Sequence, residues 1–143
     1  MWKKLRRAAV CGVAAIAALG TLTPAALASA EAETRLYAPS ALVLTVAKGE
    51  IATESTPLRA VTLTCMPAPG GTHPAPEEAC GALYDVQGEF SSLQGDSQRA
   101  CVKIYDPVVV TAQGVWEGQR VDFERTFGNA CVLGAEGTSV FNF

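Results

Sequence analysis

Three segments of the chain alternate apolar and polar side chains with a period of two residues, which is typical of half-buried strands. They are ALVLTVA at residues 41–47, RAVTLTC at 59–65 and QRVDFERTF at 119–127. In the third segment, every outward position is charged or polar: Arg120, Asp122, Glu124 and Thr126. The inward positions of the three segments are Leu42, Leu44, Val46, Val61, Leu63, Cys65, Val121, Phe123 and Phe127. One face of each predicted strand therefore meets a core and the other meets water.

Two further segments are predicted to be strands. DPVVVTA, residues 106–112, is followed by QGVW at 113–116, a glycine-containing stretch that we interpret as the turn of a hairpin. SVFNF, residues 139–143, is interpreted as a last strand. The pattern thus predicts about five strands.

The segment at residues 73–93 has the period of a helix instead. Pro76 suits the first helical turn, Glu77 and Glu78 complement the positive end of the helix dipole, and Gly88 suits the end. A second, single helical turn is predicted within residues 132–137. The apolar positions of the first helix recur in steps of four, three and four residues, at Ala79, Leu83, Val86 and Phe90.

The order of these elements predicts the fold class. Strands come first, then a helix, then strands again, and the connections have hairpin length. This order favours an α+β fold, an antiparallel sheet with helix packed on one face, in a single domain of residues 31–143.

Residues 1–30 have the layout of a secretory signal peptide. Four basic residues precede an apolar run at about residues 10–22, and small residues allow cleavage after Ala28 or, preferably, after Ala30. The apolar run is short for a membrane span, which needs roughly 20 residues. We therefore expect a secreted, extracellular protein that is not attached to a membrane after processing.

Charge argues against nucleic acid as a partner. The 143 residues hold 11 basic and 14 acidic side chains, and removal of the signal peptide leaves 7 basic side chains and a formal charge of −7. Phosphate backbones are bound by clusters of Lys and Arg, and the sequence contains none after the signal peptide.

The four cysteines that follow the signal peptide predict two disulfides, because their number is even and the chain is exported. Three connectivities are possible, of which the local pairing is the simplest. Zinc binding is disfavoured, since there is no C-x-x-C pair and His73 is the only histidine. The cysteines are Cys65, Cys80, Cys101 and Cys131.

No motif in the sequence supports catalysis. His73 lies in a proline-rich loop without the spacing of a Ser-His-Asp site, and the adjacent Glu77 and Glu78 cannot face each other on a helix. The glycines form neither a dinucleotide fingerprint nor a phosphate loop. We therefore expect that the protein is not an enzyme and uses no cofactor or metal.

Lys103 lies in SQRACVKIYDP, residues 97–107, which we call the 97–107 loop. Most exposed lysines are only solvated. Val102 and Ile104, however, are β-branched and favour extended backbone, the shape in which a protease binds its substrate. Lys103 could then enter the specificity pocket of a trypsin-like protease.

Several long segments resemble the Streptomyces subtilisin inhibitor family in the same order. They are LYAPSALVLTVAKGE, RAVTLTC, GTHPAP, YDPVVVTAQGVWEGQRVDFERTFGNAC and SVFNF. The resemblance implies a five-stranded antiparallel sheet with two helices on one side, the disulfides Cys65–Cys80 and Cys101–Cys131, and a homodimer. It also implies a secreted inhibitor of trypsin-like and subtilisin-like serine proteases that binds them as a substrate does.

The resemblance further implies that Lys103–Ile104 is the reactive bond, with Lys103 at P1, and that Asn129 supports the loop. The family's namesake has methionine at P1 and proline at P2, where this chain has Lys103 and Val102. The lysine favours trypsin-like targets, and the loss of proline frees the φ angle at P2. The neighbouring residues that would contact the protease are Ala100, Cys101, Val102 and Tyr105.

A different class of function stays open from the sequence. The chain could be an extracellular interaction protein, or a transglutaminase substrate, that uses the same fold. Gln94 and Gln98 lie in the polar segment just before Cys101 and would be the acceptor residues. A third class, a small secreted hydrolase, has almost no support from the residues.

Overall fold

The computed structural model describes residues 37–143, and the predicted signal peptide at residues 1–30 lies outside the described residues. Within residues 37–143, no helix is long and apolar enough to cross a membrane. The elements are β1 (Ser40–Lys48), β2 (Pro57–Met66), β3 (Gly70–Gly71), α1 (Pro76–Asp85), β4 (Val108–Trp116), β5 (Gln119–Phe127) and α2 (Ala130–Glu136).

The strands form a single five-stranded sheet in the order β3-β2-β1-β4-β5, and each neighbouring pair is antiparallel. β1 lies at the centre, where Leu44 is opposite Val61 of β2 and Ala112 of β4. Two-residue periodicity places these three side chains on the same face. The predicted antiparallel sheet and α+β class are confirmed.

Both helices pack on that face of the sheet. The apolar side chains of α1 and the buried Leu133 of α2 join the inward residues of the strands in one core cluster. Leu44, Leu63, Leu83 and Val110 are each fully buried at its centre. The opposite face carries Arg120, Asp122 and Glu124 of β5 and is exposed at Val43, but it is not open throughout, because Ala47 and Val109 are buried there.

The hairpin turn predicted at residues 113–116 is wrong. β4 continues through these residues to Trp116, which pairs with Gln119, and the turn consists of Glu117 and Gly118. Both turn residues have positive φ, 47° and 78°, as a two-residue type I′ turn requires. Gly114 is a strand residue inside β4. Only glycine fits there, because a Cβ would come within 2.2 Å of the carbonyl oxygen of Ala41.

The strand predicted at residues 139–143 is also wrong, and the fifth strand is the short β3. Val140 and Phe141 are adjacent and both buried, whereas a strand would direct them to opposite faces. The backbone turns instead: Thr138 has a φ of 57°, and the amide of Phe141 donates to the carbonyl of Gly137 at 3.1 Å. The turn lets both side chains enter the core.

The helix prediction is confirmed at its start, and Gly88 belongs to the helix end as predicted, but Phe90 does not belong to the helix. α1 ends at Asp85, three residues before Gly88. Gly88 has a φ of 76°, and its amide donates to the carbonyl of Leu83 at 2.8 Å, as at a Schellman-type helix end. Phe90 is buried but lies in a separate 3₁₀ turn, Phe90–Ser92. α2 has 7 residues, more than the single turn predicted.

The two faces of β1 predict a matched pair of substitutions. We expect Leu44→Ala to lower the free energy of unfolding by about 2 to 5 kcal/mol, because it leaves a cavity in the core. Val43→Ala, on the opposite and open face, should cost about 1 kcal/mol or less. Guanidinium unfolding of the two variants measures the difference, and equal losses would contradict this assignment of the faces.

Candidate functional site

The 97–107 loop exposes apolar side chains that a folded protein usually buries. Val102, Ile104 and Tyr105 are 66%, 65% and 67% exposed, and Lys103 lies among them in solvent. Exposed apolar residues that are contiguous mark a surface that binds a partner. This segment is therefore the candidate binding site.

The loop is fixed close to both ends of this exposed segment. On one side, Cys101 forms a disulfide with Cys131 in the first turn of α2. On the other side, the amide of Asp106 donates to the carbonyl of Gly128 at 2.9 Å, just before β4 begins at Val108. Only four residues, 102–105, lie between the two attachments.

Asn129 connects the exposed segment to α2. Its side-chain Oδ1 accepts a hydrogen bond from the amide of Val132 at 3.0 Å and caps the helix. Its Nδ2 donates to the carbonyl oxygens of Val102 at 3.0 Å and Ile104 at 2.9 Å. The two hydrogens of one amide group thus hold the backbone on both sides of Lys103.

The disulfides are Cys65–Cys80 and Cys101–Cys131, the local pairing predicted from the sequence. All four cysteines of the described residues are therefore used in disulfides, which leaves no thiolate for a metal. Cys65–Cys80 links β2 to α1 within the core, whereas Cys101–Cys131 lies directly beside the exposed segment.

The residues before the loop lie against the end of α2. The amide of Asp96 donates to the carbonyl of Ala135 at 2.8 Å. A Cβ on Gly95 would lie 2.1 Å from the same carbonyl oxygen, so only glycine fits there. Ala100 is exposed and does not share in these contacts. The sequence analysis missed Gly95, because a close approach to a residue 40 positions away leaves no local pattern.

The residues after Ile104 contact the connection between β1 and β2. The hydroxyl of Tyr105 donates to the carboxylate of Glu50, and Lys48 forms an ion pair with Asp106. The hydrogen bond to Glu50 is the main cause that raises the pKa of Tyr105 above its ordinary value. Sequence analysis did not identify Glu50 or Lys48, since they are 55 and 58 positions from their partners in the loop.

His73 has a structural role. It is 4% exposed, its Nδ1 accepts from the amide of Ala75 at 3.1 Å, and its Nε2 donates to the carbonyl of Val140 at 3.2 Å. Both ring nitrogens are thus used within the fold. Glu77 and Glu78 are exposed in the first turn of α1, where they complement the helix dipole.

The sequence profile of the subtilisin inhibitor-like family matches residues 38–129. The chain belongs to this family. Its relatives are named as inhibitors of proteases, and the prediction that the chain is not an enzyme is confirmed by this membership.

Individual relatives agree with this assignment. Subtilisin inhibitor-like protein 5 of Streptomyces fradiae is 70% identical over 107 residues, which are 75% of this chain and 100% of that protein. Trypsin inhibitor STI2 of Streptomyces longisporus is 55% identical over 139 residues, 96% of each chain.

A solved structure extends the similarity to the fold. Sermetstatin of Streptomyces caespitosus, in a crystal structure of its complex with Bacillus licheniformis subtilisin, is 44% identical with a TM-score of 0.68. The match covers 73% of this chain and 99% of that one.

The double role of Asn129 predicts that its two functions can be separated. Asn129→Ser keeps an oxygen that caps α2 but is too short to reach the loop carbonyls, whereas Asn129→Ala loses both functions. We expect equal loss of order at residues 102–105 in both variants. The free energy of unfolding should be lower in the alanine variant by about 1 kcal/mol.

Backbone ¹⁵N relaxation of residues 102–105 and guanidinium unfolding measure the two effects. A serine variant whose loop amides are as rigid as in the wild type would show that the Nδ2 hydrogen bonds do not hold the loop.

Proposed function

We propose that this protein inhibits serine proteases in the manner of a substrate, with Lys103–Ile104 as the reactive bond. One observation carries the proposal: a single buried amide group, that of Asn129, holds the carbonyls of Val102 and Ile104 on either side of Lys103. An exposed segment that is fixed in this way offers an extended backbone to a protease. Membership in the subtilisin inhibitor-like family supports it.

The mechanism follows from the restraint on both sides of the bond. The serine of the protease attacks the carbonyl carbon of Lys103, and the bond to the nitrogen of Ile104 breaks. The new amine cannot leave, because the carbonyl of Ile104 is held by Asn129 and the amide of Asp106 by Gly128. The amine therefore attacks the acyl-enzyme and restores the bond faster than water hydrolyses the ester.

Preorganisation of the loop explains why tight binding is expected. A loop that is already extended loses little conformational entropy when it binds. Closure of the 30-residue separation between Cys101 and Cys131 contributes about 3 to 4 kcal/mol in the chain-entropy model. Protease–inhibitor complexes that use such loops are among the tightest known.

Lys103 sets the target class in this proposal. Its ammonium group would form a charge-assisted contact with an acidic residue at the base of a trypsin-like pocket. A subtilisin-like protease, with a broad pocket, is the second target. Val102 at P2 lacks the fixed φ angle of proline, and the hydrogen bond from Asn129 to its carbonyl restrains the backbone instead.

Substitution of Lys103 tests the reactive bond. We expect Lys103→Met to weaken inhibition of trypsin by about 30-fold or more, because a central hot-spot contact is worth about 2 to 4 kcal/mol or more. The same variant should keep inhibition of subtilisin within about tenfold, since methionine is an apolar side chain of similar length.

Titration of each protease with near-equal molar amounts of inhibitor measures both effects, and N-terminal sequencing of any product locates the cut. Unchanged inhibition of trypsin by Lys103→Met would show that Lys103 is not P1. Rapid cleavage of the wild type without inhibition would contradict the proposed function.

We also propose that the protein is exported by a signal peptide at residues 1–30, cleaved after Ala30 or Ala28, and acts outside the cell. The basic residues, the apolar run and the small residues near the cleavage sites support this proposal. Edman sequencing of secreted protein would identify the mature N-terminus.

A homodimer is proposed from the resemblance to the family and from the open face of the sheet. Val43 is 47% exposed in the central strand of that face, and Ala41 of the same strand is exposed as well. Two such faces would bury these side chains against each other. Light scattering at micromolar concentration should give twice the mass of one chain, and the mass of a single chain would contradict the proposal.

The alternative role as a transglutaminase substrate rests on exposure. Gln94 and Gln98 both lie exposed in the segment before Cys101. Incorporation of a fluorescent primary amine by transglutaminase would support this role if it is lost in a variant with both glutamines changed to asparagine.

A further inference from the structure

The connection between β1 and β2, residues 49–56, lies beside the leaving-group side of the proposed reactive bond. This connection is itself fixed by the sheet. The hydroxyl of Thr126 donates to the carbonyl of Glu50 at 2.6 Å, and the amide of Ala52 donates to the carboxylate of Glu124 at 3.1 Å. Both partners belong to β5. The backbone of Glu50 therefore has a defined position before any protease binds.

A second attachment joins the connection to the end of the 97–107 loop. The amide of Gly49 donates to the carbonyl of Pro107 at 2.9 Å. Gly49 has a φ of 119°, a conformation that other residues rarely adopt, and the chain bends there toward Glu50. Pro107 immediately precedes β4, so the two segments run side by side.

The side chain of Glu50 then reaches the loop itself. Its carboxylate accepts a hydrogen bond from the hydroxyl of Tyr105, the second residue after Lys103. Hydrogen bonds to a charged acceptor are stronger than those between neutral groups. Tyr105 keeps 67% of its surface exposed, so its ring is still accessible to a protease while its hydroxyl is held.

We propose that Glu50 is a positioning residue for inhibition: through Tyr105 it holds the segment that carries the new amine after cleavage of Lys103–Ile104. This inference rests on the proposed function. Asn129 holds the carbonyl of Ile104 and Gly128 the amide of Asp106, and Glu50 is the only hydrogen-bond partner of the Tyr105 side chain within residues 37–143. Each residue of the leaving segment thus has its own attachment.

The neighbouring ion pair supports the same segment but less specifically. Lys48 and Asp106 are 49% and 59% exposed at their side chains, and exposed ion pairs are weakened by solvent and salt. The hydrogen bond from Tyr105 joins a neutral hydroxyl to a carboxylate, so salt screens it less than it screens an ion pair. The effect of Glu50 should therefore persist at high ionic strength.

Four variants test the inference. Glu50→Ala removes the acceptor, Tyr105→Phe removes the donor but keeps the ring, and Glu50→Gln keeps an acceptor oxygen. Glu54→Ala is the matched control, because it removes an exposed carboxylate of the same connection without a hydrogen bond to the loop.

We expect Glu50→Ala and Tyr105→Phe each to weaken inhibition of trypsin and subtilisin about 2- to 10-fold, the range of one hydrogen bond. The ratio of cut to intact inhibitor at equilibrium with catalytic trypsin should rise by a similar factor. The double variant, Glu50→Ala with Tyr105→Phe, should have the same inhibition constant as either single variant, because both changes remove the same hydrogen bond. The inhibition constants of Glu50→Gln and Glu54→Ala should stay within about twofold of the wild-type value. The cut-to-intact ratio separates positioning from a general loss of stability, which thermal unfolding measures.

The outcomes distinguish this inference from the proposed function. If the wild type inhibits and Glu50→Ala has the same inhibition constant and the same cut-to-intact ratio, the inference is wrong and the function stands. If the wild type does not inhibit, the function is wrong. In that case ¹⁵N relaxation of the Tyr105 and Asp106 amides in the free protein still tests whether Glu50 holds the segment. Greater motion of these amides in Glu50→Ala supports the attachment through Tyr105, and unchanged motion overturns it.

Discussion

The side-chain amide of Asn129 lies where β5, α2 and the 97–107 loop meet. Its oxygen caps α2 by accepting a hydrogen bond from the amide of Val132, and its nitrogen donates to the carbonyls of Val102 and Ile104. Two residues further on, Cys131 forms the disulfide to Cys101. The first turn of α2 thus supplies both the covalent and the hydrogen-bonded restraint on the loop.

The sheet determines where this turn lies. Val108 at the start of β4 pairs with Phe127 at the end of β5, so the end of the loop and the start of α2 are adjacent. Leu133 fixes α2 in the core, and Arg125 of β5 forms an ion pair with Glu136 at 2.7 Å. The core therefore positions the helix, and the helix positions the loop. An exposed binding segment can then be rigid although almost none of its own side chains are buried.

Elements with regular patterns could be predicted from the sequence. β1, β2 and β5 alternate clearly, and the start of α1 at Pro76 has local signals. The errors arose where burial or backbone contacts override the pattern. Gly114 was interpreted as a turn residue, but it is a strand residue that the carbonyl of Ala41 approaches closely. Val140 and Phe141 alternate with polar neighbours only in part, and a turn places both in the core.

The candidate site shows the same limit. The family resemblance located Lys103 and Ile104 by their position just after Cys101, and it located Asn129 within the segment FGNAC. Glu50 and Gly95 contact the loop region from distant positions, and no local spacing connects them to it. Contacts of this kind depend on the three-dimensional path of the chain.

Removal of one disulfide at a time tests most directly whether loop rigidity makes the protein an inhibitor. Cys101→Ser/Cys131→Ser frees the loop, while Cys65→Ser/Cys80→Ser removes a bond in the core far from the Lys103–Ile104 bond in sequence. With trypsin at near-equal molar amount, the first variant should be cut at Lys103–Ile104 and lose inhibition, and the second should inhibit as long as it is folded. Undiminished inhibition by the first variant, without cleavage, would contradict the account.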